Sequence, residues 1–246
     1  MNDKESVVQS SYTQALKVAK TSNQASCCSP SSGTEVLIQD IQRVSDSDQS
    51  ISFGCYRLDS ILQERAKQGD TVIDFGSGPG HDLFLAARLV GPTGKAIGVD
   101  FTDAMIKEAR TIAKEKNLTQ VELVKASIDK IPLEDNLADA IISNCVINLA
   151  MNKQKVFDEA FRLLKSGGQL IDADIISDGT FTDNIKKNND LWCSCIGGSL
   201  TEEETIKMLE KSGFKDIEIK IGERGSFIFE DKEYGSYSAV IYATKP

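Results

Sequence analysis

Six cysteines and a short run of glycines beside two acidic residues carry most of the chemistry available to this 246-residue chain. The cysteines are Cys27, Cys28, Cys55, Cys145, Cys193 and Cys195. A chain of this length can bury a core without covalent staples. Its polar start, Met1-Asn2-Asp3-Lys4-Glu5, does not read as an export signal, so a disulfide scaffold is the weaker expectation. Reduced thiols suit a soft centre instead, because polarisable sulfur prefers polarisable partners. The single histidine, His81, cannot build a poly-histidine zinc site and no paired Cys-x-x-Cys motif exists, so no structural metal is expected.

Cys145, in Ser143-Asn144-Cys145-Val146-Ile147-Asn148-Leu149, follows an apolar run that reads as a strand. Cys55 sits in Ser52-Phe53-Gly54-Cys55-Tyr56, and Cys195 in Trp192-Cys193-Ser194-Cys195-Ile196-Gly197-Gly198; both segments read as loops. A buried structural thiol is the alternative for each cysteine alone. Three of them on loops at one rim form a soft-ligand set, of which arsenic(III) is a typical taker.

The second constellation is Asp74-Phe75-Gly76-Ser77-Gly78-Pro79-Gly80, between an apolar strand and a helix. Glycines let backbone turn tightly and approach a ligand. The spacing is Gly-x-Gly-x-Gly rather than the dinucleotide Gly-x-Gly-x-x-Gly. Asp74 before the loop would repel a pyrophosphate and suit the methionine ammonium of S-adenosylmethionine. Asp100, at the end of the next strand, could hold ribose hydroxyls. His81 is expected to border the cofactor tail rather than act as a base. A bare strand–helix turn is the alternative reading.

These groups need a framework. Residues 1–20 have a weak helical pattern, 21–34 are small and polar, and a short helix is expected over 35–43. A helix over 58–67 leads into alternating strands and helices. Strands are expected at 71–75, 95–99, 121–125, 138–143, 169–173, 216–221 and 238–243, with helices at 81–89, 102–116, 154–164 and 202–211. Thr102 is expected to cap its helix, Thr201 and Glu204 to form a capping box, and Gly213 to end the last helix. This alternation predicts a doubly wound, mostly parallel seven-stranded α/β sheet with an antiparallel C-terminal edge hairpin. Residues 1–50 read as an N-terminal helical and flexible segment carrying the Cys27-Cys28 pair, and 51–246 as the main domain. A net charge of −9 argues against nucleic acid, and apolar runs far shorter than the roughly 18 residues of a membrane helix argue against a membrane. The expected location is cytoplasmic.

Residues 70–175 resemble class I S-adenosylmethionine-dependent methyltransferases. The glycine loop resembles their cofactor motif, Val99-Asp100-Phe101-Thr102-Asp103-Ala104-Met105 their ribose-binding strand end, and Leu163-Leu164-Lys165-Ser166-Gly167-Gly168 the turn before their fifth strand. The resemblance implies cofactor contacts from Asp74, Gly76, Gly78, Gly80, Asp100, Met105, Ile128 and Asn144; Ser127 stands where the family often has an acidic residue, and Asp129 is the neighbouring substitute. Over about residues 25–243 the chain also resembles the arsenite methyltransferases, through the two quoted segments around Cys145 and Cys195. That resemblance implies Cys55, Cys145 and Cys195 as ligands of the arsenic substrate. It also implies arsenite or thiol-conjugated arsenite as acceptor, and a thiol reductant such as thioredoxin or glutathione for turnover. Larger members carry a C-terminal extension that this chain lacks. The alternatives are a methyltransferase for a small organic acceptor, a non-catalytic arsenical-binding protein, and a nucleotide-dependent oxidoreductase.

Overall fold

The computed structural model describes residues 3–22, Gly54 and 56–246. Cys27, Cys28, Cys55 and the helix expected over 35–43 lie outside the described residues.

Seven strands form one sheet: β1 (Thr71–Phe75), β2 (Lys95–Asp100), β3 (Val121–Lys125), β4 (Ala138–Asn144), β5 (Leu164–Ser177), β6 (Lys215–Phe229) and β7 (Lys232–Thr244). Their spatial order is β3-β2-β1-β4-β5-β7-β6. The first five are parallel, while β7 runs antiparallel to both β5 and β6, as the expected edge hairpin requires. The helices are α1 (Asp3–Ser22), α2 (Asp59–Arg65), α3 (His81–Val90), α4 (Asp103–Glu115), α5 (Lys153–Leu163), α6 (Asp183–Lys187), α7 (Asn189–Cys193) and α8 (Glu202–Ser212).

The central strands are apolar at consecutive positions because helices cover both sheet faces. Ile73, Phe75, Ile97 and Ile141 point into a core shared with Val156, Phe157 and Leu209 of α5 and α8. Val72, Ala96, Ala140 and Ile142 point the other way, onto Leu62, Leu83 and Phe84 of α2 and α3. Strand order reverses between β1 and β4, whose register sets Phe75 beside Ser143. Such a reversal leaves a crevice at the carboxyl ends of the strands, where ligands bind in open α/β sheets.

Some expectations change. β5, β6 and β7 run longer than 169–173, 216–221 and 238–243. The β6–β7 ladder continues out to Phe229 opposite Lys232, closed by Glu230 and Asp231 at φ 51° and 58°. This is a left-handed pair usually given to Asn-Gly, so no turn residue advertised it. Phe227 and Tyr234 stack at 5.6 Å and fill the extension. Thr102 does occupy the N-cap position of α4, but it makes no capping bond; its hydroxyl and N–H both turn to Asp100 instead. Thr201 and Glu204 form the full capping box, and Gly213 ends α8 in the left-handed conformation. The segment expected as loop around Cys195 begins with a helical turn, α7.

Candidate functional site

An open cleft of about 640 Å³ lies at the carboxyl ends of β1, β2 and β4. The glycine loop forms its floor. Ser77 N–H donates to Val99 O at 3.0 Å and Gly78 N–H to Asp100 Oδ2 at 3.0 Å, tying the loop to β2. Gly76 has φ 67°, and a Cβ there would enter the Val146 side chain, so only glycine fits. Gly80 lies outside the cleft lining; it caps α3 at φ 104°, where a Cβ would meet the Phe84 ring.

Asp74, Asp82 and Asp100 are all buried and all line the cleft. Burial, then the Asp82 and Asp100 carboxylates, push Asp74 well above the usual carboxylate range. Burial also raises Asp82, opposed by His81 and by the Asn144 amide, which donates to Asp82 Oδ2 at 2.9 Å. Asp100 is raised by burial against hydrogen bonds from Thr102 and Gly78. No lysine or arginine among the described residues lines this cleft. A cationic ligand would relieve the like-charge cluster. The buried Ser77 hydroxyl, which has no hydrogen-bond partner among the described residues, is a further polar atom at the cleft. This donor set fits a cationic, hydroxyl-bearing molecule such as S-adenosylmethionine and fits a pyrophosphate poorly. Met105 is buried at the cleft beside Phe101 and Thr102. Ile128, by contrast, is packed in the core and does not line it. Asn144 lines the cleft and also binds the backbone of Tyr56, donating to Tyr56 O at 2.9 Å. His81 borders the cleft, 3.9 Å from Asp82.

Cys145 forms part of the cleft wall. Its N–H donates to Ala173 O at 2.8 Å, and its carbonyl accepts from Cys195 Sγ at 2.9 Å. Both cysteines sit in left-handed backbone, Cys145 at φ 57° and Cys195 at φ 63°. Each such residue costs roughly 1 kcal/mol or more, which the surrounding packing must offset. Cys195 is fully buried and lies behind Cys145, outside the cleft lining. Cys145 Sγ, Cys195 Sγ and a carboxylate oxygen of Asp174 all fall within 4.8 Å of one another. Cys145 is disulfide-bonded, while Cys193 and Cys195 are not.

Sequence reasoning missed Asp82, Asp174, Asn148, Lys153 and the α1 residues. Asp174 anchors the turn after Cys145: Asn148 donates from its backbone at 3.0 Å and from its side chain at 2.8 Å. Burial pushes Asp174 up to about 7 against these bonds and the Lys153 charge, and pulls Lys153 down to about 8. The available signal was a pair of acids, Asp172 and Asp174, inside an apolar strand. Val8 and Tyr12 of α1 also reach the cleft, although only a weak helical pattern marked that segment. Trp192 stays off the cleft and walls a small core with Val8 and Cys193. Burial raises the Cys193 thiol there.

Among curated proteins, the chain is 36% identical over 237 residues to an arsenite methyltransferase of Halobacterium salinarum, covering 92% of this chain and 60% of that protein. It is 31% identical over 222 residues to the arsenite methyltransferase of Rattus norvegicus, covering 84% of this chain and 58% of that protein. The chain thus spans about 60% of the length of the curated relative from Halobacterium. Among solved structures, an arsenic(III) S-adenosylmethionine methyltransferase from Chlamydomonas reinhardtii superposes with a TM-score of 0.64 at 29% identity, over 74% of this chain and 65% of that one. The family model described as a methyltransferase domain matches residues 66–213, which hold the glycine loop, the acidic cleft, Cys145 and Cys195. With the sheet order and the cleft at its switch point, that match establishes that the chain belongs to the methyltransferase domain family.

Proposed function

We propose that this protein transfers the methyl group of S-adenosylmethionine to arsenic(III) held by thiolates. The observation that carries the reading is the meeting of Cys145, on the wall of an acidic, cation-seeking cleft, with Cys195 directly behind it. The arsenite methyltransferases among its relatives support the choice of acceptor. Arsenite or a thiol conjugate of it is the substrate, and Cys55 is the third arsenic ligand in this reading.

Bound S-adenosylmethionine supplies a methyl group made electrophilic by its sulfonium. Asp74 and Asp82 offset the positive charge of the methionine end, and Asp100 accepts from the ribose hydroxyls. Met105 offers an apolar wall for the adenine. Cys145 and Cys195 hold arsenic, whose lone pair is the nucleophile, so no residue acts as a general base. The chain contributes chiefly by positioning, which can lower a barrier by several kcal/mol. Methyl transfer raises the arsenic oxidation state by two, and a thiol pair closing to a disulfide returns the two electrons. The disulfide at Cys145 is consistent with such a cycle, and a thioredoxin or glutathione system would reopen it. A cytoplasmic setting, where those reductants are present, belongs to this reading, as does the division into an N-terminal segment of residues 1–50 and a main domain. Among the described residues no helix is long and apolar enough to cross a membrane.

The test is arsenic speciation after incubation with arsenite, S-adenosylmethionine and a dithiol. Cys145→Ser and Cys195→Ser are each expected to abolish methylated product while leaving cofactor binding intact by calorimetry. Normal arsenite methylation by both variants would reject Cys145 and Cys195 as the arsenic ligands, and no methylated arsenic from the unmutated protein would reject the assignment in favour of an organic acceptor. Stoichiometric arsenic binding without turnover would mark a scavenger.

A further inference from the structure

Asp174 is an acid buried against the sulfurs of Cys145 and Cys195, and its hydrogen bonding is incomplete. Oδ1 accepts from the Asn148 side chain at 2.8 Å and from Ile175 N–H at 2.8 Å. Oδ2 accepts from Asn148 N–H at 3.0 Å. A carboxylate offers about four acceptor positions. The described residues fill three, two from Asn148 in the turn after Cys145 and one from Ile175 of β5. The group is 4% exposed, so bulk water does not freely complete it. One of its oxygens lies within 4.8 Å of both Cys145 Sγ and Cys195 Sγ.

Resting on the arsenic reading above, we propose that Asp174 contacts the substrate. With arsenic bridged between Cys145 and Cys195 and not yet taken up by Cys55, its carboxylate accepts a hydrogen bond from the hydroxyl that remains on arsenic. Arsenite carries three hydroxyls. A dithiol first opens the disulfide at Cys145, giving up two electrons and two protons and itself closing to a disulfide. Each thiol then displaces one hydroxyl: an As–S bond forms, an As–O bond and an S–H bond break, and water leaves with no change in oxidation state. Two exchanges leave one As–OH. Pyramidal arsenic has its lone pair opposite its three substituents. Asp174 and Cys195 lie behind the cleft wall, whereas Cys145 is on it. A hydroxyl held on Asp174 therefore stops arsenic rotating about the two sulfurs and turns the lone pair toward the cleft. A carboxylate does this better than a third apolar wall, because it recognises a hydroxyl that a fully substituted arsenical lacks.

The experiment uses the reduced full-length Cys55→Ser protein, in which arsenic keeps one hydroxyl. Binding is read by fluorescence of Trp192, the single tryptophan. Arsenite is compared with phenylarsine oxide, whose two exchangeable positions are both consumed by the thiols. Asp174→Asn is expected to weaken arsenite binding about 10- to 100-fold, the range for a hydrogen bond to a charged acceptor. Phenylarsine oxide affinity should stay unchanged. Equal losses for both ligands would mean that Asp174 only props the turn, and no loss for either would mean no contact; each overturns the proposal. Should Asp174→Asn fail to fold, Asp174→Glu in the Cys55→Ser protein decides, because it keeps the charge and moves the carboxylate. A loss of arsenite affinity with phenylarsine oxide affinity unchanged supports the proposal, and equal effects on both ligands or none on either overturn it. Failure of the reduced unmutated protein to bind arsenite at all would instead remove the arsenic reading itself.

Discussion

At Asp174, burial lifts the carboxyl from an ordinary value of 3.8 to about 7. Between those values the folded protein keeps a proton that the unfolded chain has lost, so ionisation costs folding free energy. The contribution to stability is therefore largest below about pH 4 and falls as pH rises toward 7. Relative to Asp174→Asn, which has no such group, the unmutated protein should lose thermal stability over that window. Midpoints measured by calorimetry at intervals of pH check this, and parallel curves for the two proteins would refute it. At Asp74 the same physics serves binding. Its raised carboxyl, crowded by Asp82 and Asp100, gains a counter-charge only when a cationic ligand arrives. Asp74→Asn preserves shape and removes the charge. It should weaken S-adenosylmethionine binding about 10- to 100-fold with an unchanged circular dichroism spectrum.

At the scale of elements, the thiol site depends on two turns pressed together. Gly198 follows Cys195 closely, and a Cβ there would collide with the Asn148 carbonyl, in the turn that carries Cys145. Gly198→Ala should push these turns apart and cost about 1–3 kcal/mol, a fall of roughly 2–10 °C in Tm. Arsenite turnover should fall much further than cofactor affinity, because the glycine loop at the other side of the cleft is untouched. Kinetics and calorimetry on one preparation separate the two. The helix α1 adds a second dependence. Val8 packs on Trp192 and Cys193, Tyr12 donates to Cys193 O at 3.3 Å, and both side chains face the cleft. One helix thus spans the cofactor side and the thiol side.

For the whole molecule, the decisive element is β7, the antiparallel strand between β5 and β6. Ile241 is paired with Asp172 on one side and Ile219 on the other. A proline there removes a ladder hydrogen bond inside the sheet and cannot be hidden at an edge. Ile241→Pro should destabilise the protein by about 3 kcal/mol or more, read as an earlier urea midpoint. It should loosen β5 and, with it, Asp174. The net charge of −9 acts at the same scale, discouraging polyanions while the acidic cleft favours a cation.

Sequence alone determined the architecture and the cofactor half of the site. Periodicity and glycine spacing are local properties, so Asp74-Phe75-Gly76-Ser77-Gly78 and Asp100 could be placed from neighbours in the chain. Cys145 was also placed this way, because a strand end has a known address in a doubly wound sheet. The tertiary structure decided the rest. Asp82 meets Asn144, which also binds the Tyr56 backbone, and Asp174 meets two sulfurs, only through folding of segments distant in sequence. No local pattern encodes which oxygen of a buried acid faces a thiol. That depends on the register of β5 against β4 and β7, which the packing of the whole sheet fixes.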